Sequence, residues 1–154
     1  MAMTDADMVE FRTATADDIP AVVALLTDNE IVPRDDARLL RPFLDASAAI
    51  EADDNQLLVV GWFGGRIVCC AQLSILTRLR DGGVTRAQID GLRVHPDMRG
   101  RGIGNVLLWW VLERARERDC GIADLSTDRR SDAESFFTKH GFQTTHHGMS
   151  RQLD

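Results

Sequence analysis

The segment Met98–Gly104, "MRGRGIG", separates an apolar run that reads as a strand, "IDGLRV" (89–94), from one that reads as a helix, "NVLLWWVLERAR" (105–116). The first amides of a helix lack partners and its dipole is positive at that end, so an anion is stabilised there, most of all where glycines let it approach the main chain. Arg99 and Arg101 add positive charge. The ligand class this junction suits is a phosphate or pyrophosphate; the plainer reading is a tight strand-to-helix turn with solvated arginines. Two common phosphate loops do not fit. A mononucleotide loop needs Gly-Lys-Ser/Thr, and no lysine is near; a dinucleotide fingerprint, G-x-G-x-x-G, needs glycine where Asn105 stands.

Working outward, "VEFRTAT" (9–15) alternates as a strand, and "TADDIPAVVALLTD" (15–28) offers a Thr15 cap, early acids and Pro20 ahead of an apolar helical stripe. Residues 31–55 keep helical spacing, with Pro42 expected to kink or divide them. "LLVVGWF" (57–63), "RIVCCAQLSILTRL" (66–79) and "VTRAQIDGLRV" (84–94) are joined by glycine turns, which predicts an antiparallel meander. A helix from Ile103 to Asp119 is expected to stop on a left-handed Gly121, before the strand "IADLST" (122–127). Strand, crossover helix and strand make a parallel unit. Ser131 to Glu134 have capping-box form, opening a helix that Gly141 ends, with Ala133, Phe136, Phe137 and His140 on one face. "FQTTHH" (142–147) and "MSRQL" (149–153) are expected to close the domain as a last strand pair. The order is βααβββαβαββ, an α/β (α+β) class with a mixed central sheet flanked by helices.

The 154 residues are expected to form one domain, 1–154, with a proper core. A net charge of −6 argues against nucleic acid or an anionic membrane as partner. No apolar run nears the roughly 18 residues that span a bilayer, and the acidic N-terminus is unlike a secretion signal, so a cytoplasmic location is expected. Cys69 and Cys70 are adjacent and Cys120 stands apart, which shows neither a disulfide framework nor a zinc site. His146 and His147 are likewise adjacent, with no carboxylate or cysteine at ligand spacing, and no metal is expected. Trp109 and Trp110 read as core or homodimer contacts.

The pattern Arg-x-x-Gly-x-Gly, Arg99 to Gly104, preceded by "LRVHPDM", resembles the acetyl-CoA signature of the GNAT superfamily of N-acetyltransferases. "GIADLSTDRRSDAESFFTKHGF" (121–142) is similar to that superfamily's later strand and helix, which usually end Phe-Tyr-x-x-x-Gly-Phe. The resemblance covers about the C-terminal half, and the element order above is the GNAT order. It implies that main-chain groups of Leu92, Arg93 and Val94 pair with the pantetheine arm of acetyl-CoA, the acyl donor. Arg99, Gly100, Arg101, Gly102, Ile103, Gly104 and Asn105 would hold the pyrophosphate. Arg130 stands where many relatives place a CoA-contacting asparagine, or is simply an exposed loop arginine.

Direct transfer to an amine needs a group that takes the ammonium proton and a source of a proton for the leaving thiolate. Asp90, in an apolar strand beside Leu92 and Val94, is the candidate base: desolvation there would raise its pKa, and relatives carry glutamate at the corresponding place. The alternative is that Asp90-Gly91 is a structural bulge. The family's usual tyrosine falls on Phe137, and the chain contains no tyrosine at all. Phe137 would then line the cofactor sulfur without supplying a proton. The reading is acetyl transfer from acetyl-CoA to a primary amine of a small molecule or peptide, with Asp28, Glu30, Asp35, Asp36, Asp45, Glu51, Asp53 and Asp54 making the acceptor side acidic. The rival reading is a catalytically weak acyl-CoA-binding regulatory module on the same fold, suggested by Phe137. A nucleotide-binding domain of another family rests on the glycines alone.

Overall fold

The computed structural model describes residues 2–27, 36–128 and 132–154. The chain falls into two compact units, Met1–Asp124 and Leu125–Asp154. The first is built on a mixed sheet in the order β1 (Glu10–Thr13), β2 (Gln56–Phe63), β3 (Arg66–Leu76), β4 (Arg86–Val94), β5 (Ile122–Leu125), whose last residue opens the second unit. β1 to β4 pair antiparallel. Gly64 and Gly65, with φ of 60° and 80°, make the turn between β2 and β3 that needs positive φ at both central residues.

Residues directly opposite in an antiparallel pair share a face, so the register sorts the side chains. Leu58 and Gln72 face one side, as do Val60 and Cys70. On that side lies α1 (Ile19–Leu26), whose Val22 and Leu25 pack on Val60 and Cys70. Ile19 and Val23 meet Leu40 of α2 (Ala37–Glu51) and Leu58. Val59, Ala71, Leu73, Ala87 and Ile89 face the other side and are almost wholly buried. α4 (Ile103–Glu117) packs there on β3 and β4 through Ile103, Leu107, Leu108, Val111 and Ala115. A short turn, α3 (Arg80–Gly83), left-handed at Asp81, Gly82 and Gly83 with φ of 56°, 73° and 75°, joins β3 to β4. Arg86 at the start of β4 grips Asp124 of β5 through two nitrogens, at 2.6 and 3.0 Å, and Asp81 at 2.8 Å.

The capping box expected at Thr15 forms with Asp18. Pro42 does not divide α2: Pro42 and Arg38 are both exposed, so water can serve the Arg38 carbonyl that loses its helix bond. α4 ends on Asp119 rather than Gly121. Asp119 takes the left-handed φ of 59°, while the Cys120 and Asp119 amides donate back to the Ala115 and Arg116 carbonyls. Gly121 is required for space instead, since a Cβ there would lie 2.5 Å from Val84 Cγ2.

In the second unit α5 (Ala133–Lys139) closes in the same way at Gly141, φ 88°, with Phe142 packed on Phe137 at 5.6 Å between rings. Ser131 of the expected capping box lies outside the described residues. The final strand pair does not form, as residues 143–154 hold no strand and are exposed throughout. Their side chains are nearly all polar, with no apolar alternation to seat a face, and Met149 and Leu153 stay in solvent.

Candidate acyl-donor and acceptor site

The feature that shapes the site is a bulge in β4. Cys70 lies opposite Arg93 and Gln72 opposite Asp90, so the single residue Ala71 faces two, Gly91 and Leu92. Gly91 takes a left-handed φ of 58°, and the Cys70 thiol donates to its carbonyl at 3.5 Å. The extra residue changes which face each later side chain occupies. Asp90 shares the α1 and α2 side with Gln72, whereas Val94, opposite Cys69, points to the α4 side. Asp90 is accordingly exposed, so the burial expected of it is absent. Both readings of Asp90-Gly91 have a footing: a bulge is present, and it presents the carboxylate.

β5 opens beside the start of β4, where the Gly121 amide donates to the Thr85 carbonyl at 2.9 Å. Four residues long against nine, it ends before Leu92–Val94. Among the described residues no strand pairs with the last main-chain groups on that edge of β4, and the Arg93 guanidinium turns back to the Leu92 carbonyl at 3.0 Å.

Beyond β4, the His95 amide donates to the Val68 carbonyl at 2.7 Å, and the buried Met98 pins a short turn, Pro96–Met98. Arg99 Nε reaches the Val94 carbonyl at 3.3 Å. Gly100 and Gly102 have φ of 77° and 80°, and Gly102 caps α4 with no side-chain hydrogen bond to the helix end. The first bond of the helix runs from the Val106 amide to the Gly102 carbonyl, so the amides of Ile103, Gly104 and Asn105 precede the ladder. An anion could take them. Arg101 is exposed, and its Nη1 is engaged by Asp5 Oδ2 at 2.7 Å. Sequence reasoning missed this partner, which lies 96 residues away.

In the second unit Phe137 is buried, its ring set edge-on to Phe136 at 5.1 Å. His140 Nδ1 lies 2.8 Å from the Phe136 carbonyl. Arg130 lies outside the described residues, as do Asp28, Glu30 and Asp35. Of the other acids expected on the acceptor side, Asp36 caps α2 by accepting from the Arg38 amide, Asp45 pairs with Arg41, and Asp53 accepts from the Asn55 amide and Gln56 Nε2. These are local structural duties.

Burial pushes the Cys69 and Cys70 thiols up to about 12, which leaves neither as a thiolate near neutrality. Among the described residues no group of three or more His, Cys, Asp or Glu could hold a metal, and no helix is long and apolar enough to cross a membrane. Trp110 packs between Phe11, at 5.8 Å, and the Arg114 guanidinium, at 4.6 Å. Trp109 is 64% exposed and is not a core residue. A cavity of about 400 Å³ opens at the far end of α4, edged by Arg114, Arg118, Ser47 and Gln56.

Residues 19–142 match the model of the acetyltransferase (GNAT) family. The chain is 30% identical over 148 residues to the aminoalkylphosphonate N-acetyltransferase of Salmonella typhimurium, a match covering 94% of this chain and 91% of that protein. It is 32% identical over 90 residues to the glucosamine 6-phosphate N-acetyltransferase of Trypanosoma brucei brucei, covering 58% of each. A crystal structure described as a transcriptional regulator from Bacillus halodurans C-125 superposes with a TM-score of 0.82 at 35% identity, over 94% of this chain and 99% of that one.

Proposed function

The chain belongs to the GNAT family of acetyltransferases and depends on acetyl-CoA, and from that premise we propose that it moves acetyl directly to the primary amine of a small molecule within a ternary complex. The observation that carries this reading is the bulge in β4: it turns Asp90 toward the α1 and α2 side, and the edge beyond it runs free to the glycine-capped start of α4.

In this reading the pyrophosphate takes the amides of Ile103, Gly104 and Asn105, with Arg99 and Arg101 beside it and Gly100 and Gly102 giving it access. The pantetheine arm lies along the main chain of Leu92, Arg93 and Val94 as an added strand. Asp90 takes the proton of the ammonium, the amine nitrogen bonds to the thioester carbonyl carbon, and the carbon–sulfur bond breaks. The thiolate collects its proton from solvent or from the substrate, because Phe137 has none to give. A single domain, 1–154, does this work; the family match running across both units supports it.

The two curated relatives are named for acceptors that pair an amine with a phosphonate or a phosphate, which supports a small-molecule amine. The test is free-thiol release from acetyl-CoA with 2-aminoethylphosphonate, glucosamine 6-phosphate, spermidine and a peptide amine. Transfer to a small amine is expected, and Asp90→Asn should lower its turnover about 10²-fold with the KM for acetyl-CoA unchanged. A variant within a few-fold of wild type places the base elsewhere. Bound CoA without thiol release from any amine would instead mark a CoA-binding module.

A further inference from the structure

Asp53, in the turn after α2, accepts the Asn55 amide at 2.9 Å and Gln56 Nε2 at 2.9 Å. The Gln56 side chain and the Asn55 amide hold its carboxyl below the usual carboxylate range, so it is ionised and can only accept. That fixes the next group. Gln56 must turn its NH₂ toward Asp53 and its Oε1 the other way, and this oxygen accepts from Gln72 Nε2 at 3.0 Å. Gln72 has therefore committed one N–H to the β2 side, and its Oε1 accepts no hydrogen bond among the described residues. Two amides and one carboxylate form a chain with a single direction.

Gln72 is the cross-strand neighbour of Asp90, on the same face of the sheet. The Asp90 carboxylate makes no hydrogen bond or ion pair among the described residues. Two acceptors, an amide oxygen and a carboxylate, thus belong to cross-strand neighbours on one face of the sheet. What satisfies both at once is a cation with several N–H donors; a hydroxyl has a single O–H and can serve only one of them, and an ionised phosphate oxygen serves neither. We infer that Gln72 Oε1 and Asp90 together seat the acceptor's primary ammonium, with Gln56 and Asp53 as positioning residues that keep the Gln72 amide from turning over. The inference rests on the reading of Asp90 as the group that meets the amine. When Asp90 takes one proton, Gln72 keeps a second N–H of the same nitrogen, and this orients the lone pair that attacks.

The test titrates the isotope-labelled full chain, saturated with CoA, with methylammonium and with tetramethylammonium, following the Gln72 side-chain amide and the Gly91 amide by nuclear magnetic resonance. Methylammonium should shift both signals and saturate; tetramethylammonium, equally charged but without an N–H, should not. Gln72→Leu should weaken methylammonium about fivefold or more, the worth of a hydrogen bond to a charged group, while Gln72→Glu, which keeps the oxygen, should bind within about twofold of wild type or tighter. Gln56→Leu should weaken it as well. No response to methylammonium, an equal response to tetramethylammonium, or a Glu variant as impaired as the Leu variant would each overturn the inference. Asp90→Asn separates the two ideas. Retained turnover with the Gln72 pattern intact removes Asp90 as base and leaves the ammonium seat, whereas lost turnover without the Gln72 pattern does the reverse.

Discussion

Replacing Gly91 by alanine tests the bulge on which the site depends. Gly91 holds a φ of 58°, and an L-residue in that region costs about 1–2 kcal/mol. The new Cβ would lie 2.9 Å from Leu26 Cδ2, too close, but that atom is the far end of a side chain that is 38% exposed and can swing outward. The backbone term should dominate, and the loss should be about 1–2 kcal/mol, or roughly 2–8 °C in Tm for a chain of this size. Gly91→Asn adds the same Cβ but tolerates the left-handed region, so it should lose distinctly less. Gly61→Ala is the counter-case. Its Cβ would collide with Cys69 Sγ and lie 2.9 Å from Val9 Cγ1 in the packed core, so that loss is overpacking, about 1–3 kcal/mol or more. Urea unfolding with linear extrapolation measures all three. If Gly91→Ala and Gly91→Asn lose equally, contact with Leu26 rather than φ sets the effect, and the reasoning fails.

Arg101→Glu should weaken acetyl-CoA about tenfold or more at low salt and less at high salt, since it sets a negative charge against both Asp5 and the pyrophosphate; calorimetry at two ionic strengths measures it, and unchanged affinity in a folded variant would remove the phosphate role from the loop. Phe137→Tyr should raise the single-turnover rate of acetyl transfer, by up to about 10²-fold, with affinity for acetyl-CoA little changed; an equal or slower rate would show that this position is not the one that lacks an acid. The Arg12 guanidinium, then the Thr15 amide and hydroxyl, hold the Asp18 carboxyl below the usual carboxylate range against the opposing effect of burial. Its folded pKa is depressed, so its contribution is full above the ordinary carboxylate value and fades as pH falls through the lower, folded one. Unfolding measured from pH 6 downward should show this acid loss in wild type and a shallower one in Asp18→Asn.

The glycine-arginine junction, the Gly64-Gly65 turn and the Thr15 cap were legible because each depends on residues adjacent in sequence, and the same local chemistry settles them in any context. The exposure of Asp90 was not legible, for the opposite reason. Alternation counted straight through "IDGLRV" puts Asp90 on one face with Leu92 and Val94, and only the pairing of β4 with β3 reveals the extra residue that sends them to different faces. The direction of the Asp53–Gln56–Gln72 chain likewise belongs to a register between strands; its one trace in sequence is the polar Gln72 and Ser74 interrupting an apolar strand. At the end of α4, Asp119 takes the left-handed position expected of Gly121. A turn signal cannot distinguish a glycine needed for its φ from one needed because Val84 leaves no room. The last strand pair failed because Gln143–His147 and Ser150–Gln152 offer no apolar face to bury.

The contact between Asp5 and Arg101 joins the first turn of the chain to the mouth of α4 across 96 residues. Closing so long a segment costs about 4 kcal/mol in chain entropy by the usual logarithmic scaling, and a half-exposed ion pair returns at most about 1 kcal/mol. The pair therefore cannot recruit the N-terminus. It forms only once β1 lies on β2 and α4 lies on the sheet, so it belongs to the last stage of folding and the first stage of opening. Amide exchange at Asp7–Val9 should run well ahead of that in β2 and β3, because opening this first turn leaves Arg101 without its Asp5 partner while the sheet stays paired.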